Sequence, residues 1–226
     1  MHENIKNTKV ITLMVALALF NFIFLGTEYL FDNMMSLVTS PVNVVAAQGY
    51  ILGASVIGFV LYPWLSIKIP ESVHAIAVFT GALAEIICIF VIWQHAFYAL
   101  ILVAGCLAYV LLGIVGSAVH YHLSCVVKRD SLAKTAGISY ALGILFQYLM
   151  QNSIAESIIL AVSSAVVALL LLKAEQEHIK EDRESLKRIE NPNLAGLALI
   201  AVVMLMTCIF STLDAEVTLV HVSGNG

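Results

Sequence analysis

Charged residues are scarce in this chain, and their scarcity excludes an ordinary soluble domain. They make up 12% of the 226 residues, whereas hydrophobic residues make up 61%. A soluble domain has about 25% charged and about 45–50% apolar residues. The four prolines lie at or near the ends of long apolar runs, where a missing N–H does least harm to a helix. The composition therefore predicts an integral membrane protein built of α-helices.

Cysteines are also few, and their positions argue against a covalent or metal framework. All four lie inside apolar runs without C-x-x-C spacing: Cys88, Cys106, Cys125 and Cys208. A disulfide scaffold or a zinc site would place such residues at short, repeated spacings. We therefore expect no metal and no cofactor. Basic residues form no continuous groove, so nucleic acid is not an expected partner.

The long apolar runs are the main feature of the sequence. A helix needs roughly 20 residues to cross about 30 Å of hydrocarbon. Seven runs approach or exceed this length, and the fifth is the shortest. The predicted spans are 10–31, 44–66, 73–93, 97–127, 136–150, 154–172 and 194–217.

The 11 Lys and Arg residues fall into four patches between these spans. Two predicted spans separate the first patch from the second, two more separate the second from the third, and a further two the third from the last. Because Lys and Arg near span ends are kept in the cytoplasm, this pattern predicts a cytoplasmic N-terminus. The C-terminus is then expected outside the cell, with the protein in the plasma (inner) membrane.

Small residues recur at four-residue spacing in two of the spans. Gly49 and Gly53 lie in the second span, and Gly137, Ser139, Ala141 and Gly143 lie in the fifth. Such spacing gives one helix face small side chains, against which another backbone can pack closely. We expect both faces to be sites of helix packing within a bundle.

The seventh span shows a weak likeness to the first. At an offset of 186 residues, Asn21 aligns with Thr207, Glu28 with Asp214 and Asp32 with Thr218. Both helices thus carry polar groups at i, i+7 and i+11, which fall on one face. A repeat of this length is typical of transporters built from two parallel halves.

Together these features resemble the major facilitator superfamily of transporters. The resemblance rests on six predicted helices with a cytoplasmic N-terminus, a charged linker and a seventh helix that opens like the first. The stretch Phe210-Ser211-Thr212-Leu213-Asp214 is also similar to the Phe-x-x-x-Leu-Asp stretch in first helices of the drug/proton antiporter branches, with one residue fewer between Phe and Leu. In the loop after the second helix, only Gly58 and Lys68 match the family's pattern.

The resemblance implies an all-α membrane fold, a six-helix bundle followed by a seventh transmembrane helix. The bundle would cover 1–173, a charged cytoplasmic linker 174–193, and the start of a second half 194–226. It also implies secondary active transport of a small solute, coupled to a proton or ion gradient. A chain of this length would be incomplete alone, so a second half-transporter chain or a homodimer is an expected partner, besides the lipid bilayer.

Four acids lie within or at the outer ends of the predicted spans: Glu28, Asp32, Glu85 and Asp214. Charged groups at such depth are costly and rare, which makes each a candidate functional residue. We expect them to bind the solute or a proton, although Asp32 lies far enough along its helix to reach the outer interface. Asn21 and Gln147 are expected to form hydrogen bonds with the solute.

Other interpretations stay open. The divergent loop around Tyr62 and Pro63 favours a sensing or regulatory membrane module with a transporter-like fold, and a non-functional fragment is the third possibility. An enzyme is not expected. Ser117 and His120 share a helix face, but no oxyanion donor or orienting acid accompanies them. His120 and His122 point about 200° apart on a helix, so they are expected to be interfacial histidines rather than ligands of one metal.

Overall fold

The computed structural model describes residues 2–127, 129–150 and 156–181. Within these ranges every secondary-structure element is a helix, which confirms the predicted all-α class for this part. The seventh predicted span, with Asp214, and the linker beyond Glu181 lie outside the described residues. The six helices are α1 (His2–Ser36), α2 (Pro41–Lys68), α3 (Glu71–Trp93), α4 (Tyr98–Val126), α5 (Arg129–Met150) and α6 (Glu156–Glu181).

Among the described residues, five helices are long and apolar enough to cross a membrane. These candidate spans are Thr8–Ser36, Pro41–Ser66, Ala75–Trp93, Tyr98–Val126 and Glu156–Ala174. They fit an integral membrane protein. The helix that is not among them is α5, which begins with Arg129 and Asp130 and includes Lys134. Its apolar part, 136–150, is shorter than the roughly 20 residues that a full crossing needs.

Five of the six described helices extend beyond their predicted spans at one end or both, because hydropathy detects only the apolar middle of a helix. The first begins at His2 rather than at residue 10, and α6 continues to Glu181 through the predicted start of the linker. Pro63, expected near a span end, lies inside α2, which continues to Lys68. The N–H of Ile69 donates to the Leu65 carbonyl at 2.9 Å and closes that helix.

Close approaches between helices define their directions. A Cβ added to Gly105 of α4 would lie 2.5 Å from the Phe31 ring, and one added to Gly116 would lie 2.4 Å from the Phe20 ring. Residue numbers therefore rise along α4 as they fall along α1, so these helices are antiparallel. In contrast, Gly143 of α5 lies beside Ala18, and Gln147 lies beside Gly26. Hence α5 runs parallel to α1, next to its middle part.

The short connections between the other helices continue this alternation. Only residues 37–40 join α1 to α2, and 69–70 join α2 to α3. Such turns make consecutive helices antiparallel. The starts of the odd-numbered helices and the ends of the even-numbered ones therefore meet at one end of the bundle. The described cations lie in the helix segments nearest that end: Lys6, Lys9, Lys68, Arg129, Lys134, Lys173 and Lys180.

The tightest helix crossing is between α2 and α4. A Cβ on Gly58 would lie 2.0 Å from the Val110 carbonyl oxygen, and one on Gly113 would lie 2.1 Å from the Ser55 carbonyl oxygen. Only glycines allow the two backbones to approach this closely. The sequence predicted that α2 would pack through Gly49 and Gly53. The close crossing instead uses Gly58, and the predicted face is not covered by another helix.

The small-residue prediction is wrong for three of its glycines. Gly49 and Gly53 of α2 and Gly137 of α5 have open space where a Cβ would lie. Gly143 does pack as expected, since its Cβ would lie 2.6 Å from the Ala18 carbonyl oxygen. Spacing identified a small face on each helix, but only the arrangement of neighbouring helices decides whether that face is covered.

Candidate functional site: two carboxyl pairs in the helix bundle

Polar groups on α1 can reach several neighbours because α1 lies in the middle of the bundle. It contacts each of the other five described helices. Four of the predicted polar residues lie at contacts between pairs of helices: Glu28, Glu85, Asn21 and Gln147. These contacts are those of α1 with α2, of α1 with α5, and of α3 with α6.

We call a carboxyl group and the polar side chain hydrogen-bonded to it a carboxyl pair. Glu28 of α1 forms the first such pair with Gln48 of α2. Its Oε1 accepts a hydrogen bond of 3.1 Å from the Gln48 Nε2, and the two side chains are buried. Glu28 is eight residues from the end of α1 and Gln48 seven from the start of α2, which places each about 10–12 Å from the connecting turn. The turn therefore brings the two residues to the same level.

Glu85 of α3 forms the second carboxyl pair with Ser164 of α6. The Ser164 hydroxyl lies 3.2 Å from Oε1 of Glu85 and 3.0 Å from the carbonyl oxygen of Leu160. Because a hydroxyl has one proton, it shares that proton between the two acceptors. Each of the paired side chains is 1% exposed. Within the described part of the chain, Ser164 is the one side chain that donates to this carboxyl group.

Glu85 lies eight residues before the end of α3, as Glu28 does in α1. Both carboxyl groups are therefore about 12 Å from the end of their helix, on the side of the bundle away from the cations. Their hydrogen bonds nevertheless involve different neighbours, α2 for Glu28 and α6 for Glu85. Glu28 and Glu85 therefore belong to separate helix contacts.

Asn21 and Gln147 lie at the contact of α1 with α5. The Gln147 Oε1 lies 2.9 Å from the position of a Cβ on Gly26, and the Asn21 Cβ lies 2.6 Å from that of a Cβ on Gly143. Gln147 is buried. The Asn21 Nδ2 is also buried and has no hydrogen-bond partner among the described residues. An amide donor in this position is suited to bind a polar group or a water molecule.

Of the two remaining predicted acids, Asp32 lies within the described residues and Asp214 does not. Asp32 is partly buried and lies four residues before the end of α1, about 6 Å from that end. This position agrees with the expected location near an interface. Asp214 lies outside the described residues, so its predicted role stays a prediction.

Sequence reasoning missed several uncharged polar residues that the structure places at these contacts. Gln48 and Ser164 are the partners of the two acids, and Thr27 is completely buried with a hydroxyl that has no partner among the described residues. Tyr109 of α4 donates a hydrogen bond of 2.8 Å to the Phe24 carbonyl of α1. A search for every polar residue inside an apolar run, rather than for acids alone, would have found all four.

The surroundings of the two α4 histidines within the bundle were not predicted. His122 is 3% exposed. The ring of His120 lies among aromatic rings of α1, α2 and α5. Helical spacing correctly separated the two side chains, but it could not show that other helices surround them.

No protein-family model matches this chain, and neither does any curated protein or solved structure.

Proposed function

We propose that this chain is part of a secondary transporter of the type seen in the major facilitator superfamily, which moves a small solute in exchange for, or together with, a proton or ion. The observation that carries this proposal is the Glu85 carboxyl group, 1% exposed within a candidate membrane span and hydrogen-bonded by the Ser164 hydroxyl. Ionisable groups in such places are expensive to maintain and are typical of proton and ion pathways.

The two carboxyl pairs support a division of roles. Glu85 receives its hydrogen bond from a small hydroxyl in a fully buried contact, which leaves room for little more than a proton or a small cation. Glu28 is paired with the longer side chain of Gln48 on the central helix α1. We assign proton or ion binding to Glu85 and a contact with the solute to Glu28.

Asn21 and Gln147 would add hydrogen bonds to the solute from the contact of α1 with α5. The buried Nδ2 of Asn21 has no hydrogen-bond partner among the described residues, which supports this role because a buried donor without an acceptor is costly. In transporters with two halves, the solute lies between the halves, and access alternates as they rock against each other.

Transport can be tested with the full chain reconstituted in lipid vesicles. A membrane potential or a pH gradient is imposed, and a panel of labelled small solutes is screened for movement against its own gradient. We expect at least one solute to accumulate or to be expelled, and an ionophore that collapses the gradient should stop this movement. If every solute behaves as in protein-free vesicles, the chain does not transport alone.

A binding measurement on the same panel separates the alternative function. A solute that shifts the thermal unfolding of the chain in detergent, but does not move across vesicles, would support a sensing module. For a transporter, the variants Glu28→Gln and Glu85→Gln should each change the movement of the solute that wild type carries.

A further inference from the structure

His120 of α4 is held by two hydrogen bonds that fix where its protons lie. Its Nδ1 is 2.6 Å from the carbonyl oxygen of Gly116, one turn earlier in the same helix. A carbonyl oxygen can only accept, so Nδ1 carries a hydrogen. In the neutral ring, Nε2 is then an acceptor. It accepts a hydrogen bond from the hydroxyl group of Tyr140, which lies on α5.

Aromatic rings from three other helices surround the same imidazole. Its ring centroid lies 6.0 Å from that of Phe20 in α1, 6.2 Å from that of Phe59 in α2 and 5.9 Å from that of Tyr140 in α5. His120 therefore contacts four helices, counting its own. It lies six residues before the end of α4, about 9 Å from the end of the bundle that carries the cations.

A second proton on the ring would reverse the bond between His120 and Tyr140. Nε2 would become a donor, and the Tyr140 oxygen would have to accept. The Tyr140 proton would then have to turn away and find another acceptor. The aromatic faces around the ring could partly stabilise the new positive charge. The pair thus has two arrangements that differ by one proton and by the direction of one hydrogen bond.

The titratable groups near His120 are few. Phe20 and Phe59, which face it from α1 and α2, do not titrate, and Tyr140 is the titratable group that faces it from α5. On its own helix, His122 lies two residues away and points about 200° around the axis. In the described part of the chain, no carboxylate contacts the ring.

The bond between His120 and Tyr140 matters for the position of α5, because α5 has few other contacts with α4. This helix packs chiefly on α1 and has little contact with α4. Much of its outer side is exposed, including Ile144 and Leu149. The hydrogen bond between His120 and Tyr140 links a side chain of α4 directly to a side chain of α5.

We propose that the His120 and Tyr140 pair is a proton-binding site whose protonation state sets how firmly α5 is held against α4. Proton binding weakens the hold, because the charged ring is enclosed by aromatic side chains and regains its hydration when α5 moves away. The site does not depend on which solute the chain carries, or on whether it carries one.

The test uses the full chain in lipid nanodiscs between pH 5 and pH 8, the range in which histidine titrates. Histidine NMR follows the protonation of His120, and the His120→Gln variant assigns its signal. Amide hydrogen exchange, corrected for the intrinsic rate at each pH, follows α5. We expect the α5 amides to exchange about fivefold faster at pH 5 than at pH 8, an effect comparable in size with the loss of one hydrogen bond.

The midpoints of the two wild-type curves should coincide. Tyr140→Phe should give fast exchange at every pH, whereas the matched variant Tyr148→Phe, at a position of the same helix that is 71% exposed, should behave as wild type. An α5 exchange rate that does not follow the His120 signal in wild type would overturn the proposal. So would a Tyr140→Phe protein that keeps the wild-type pH dependence.

Discussion

Glu28 and Glu85 are both glutamates at the same distance from the end of a candidate membrane-spanning helix, but their surroundings differ. Glu28 is 9% exposed and accepts a hydrogen bond from an amide on α2, the next helix in the chain. Glu85 is 1% exposed and accepts a hydrogen bond from a hydroxyl group 79 residues away, on α6. Depth along the helix is therefore not what separates them. The helices packed against each carboxyl group decide what it can bind.

The largest expected effect is on the coupling of transport to the gradient. At 100 mV, one coupled charge supports a concentration ratio of about 50-fold. We expect Glu85→Gln to reduce the ratio to about one, because the amide cannot exchange a proton. Vesicle uptake at a fixed potential measures this. The control is Glu71→Gln, the same change at the first residue of α3, which should leave the ratio unaltered.

Glu28→Gln should change solute affinity instead. Losing a charge-assisted hydrogen bond raises the half-saturating solute concentration by roughly tenfold or more. The final concentration ratio should stay as in wild type, because Glu85 still carries the coupled proton or ion. Initial uptake rates over a range of solute concentrations measure the first quantity. Identical behaviour of the two variants, with both losing the gradient dependence, would remove the proposed division of roles.

Chemical labelling compares the two carboxyl groups without any solute. A water-soluble carbodiimide with a small amine converts accessible carboxyl groups to amides, and mass spectrometry of peptides measures each rate. We expect Glu28 to react several-fold faster than Glu85, because Glu85 is the more deeply buried of the two. Equal rates would mean that both groups see water equally, and the contrast in burial would have no functional meaning.

The smallest effect is expected on stability. Ser164→Ala removes the hydroxyl that bonds Glu85 and should lower the free energy of unfolding by about 1 kcal/mol, as for hydrogen bonds between membrane helices. Ser163→Ala, at the neighbouring position of α6, should change it by much less. Unfolding in mixed micelles measures both variants. A Ser163→Ala effect as large as that of Ser164→Ala would show that the hydroxyl bond to Glu85 adds no stability of its own.

The existence of the helices was predictable because it depends on composition over about 20 residues. Each of the first six predicted spans corresponds to a helix, and five of these are candidate membrane spans. Their ends were not predictable, since polar turns such as the first turns of α1 and α5 continue a helix without any apolar signal. The weakness of the fifth span was also visible in the sequence, and α5 is the helix that is not a candidate span.

The partners of the candidate residues were not predictable. Nothing in the sequence pairs Glu85 with Ser164 or His120 with Tyr140, because those contacts depend on which helices are adjacent and how each is rotated about its axis. The same reason explains the error on Gly49 and Gly53, since the glycines that allow the closest approach are Gly58 and Gly113. The spacing of small residues shows which of them share a face of one helix, but it does not show whether a second helix lies against that face.

By itself, the sequence determined that this chain forms long apolar helices, that its cations are grouped between them, and that acids occur within the spans. These properties follow from hydropathy and charge, which each segment carries independently of its neighbours. The tertiary structure alone decided that α1 lies in the middle, that Glu28 and Glu85 belong to separate contacts, and that His120 lies among aromatic rings. Those properties arise from the rotation and order of packed helices, which no single segment encodes.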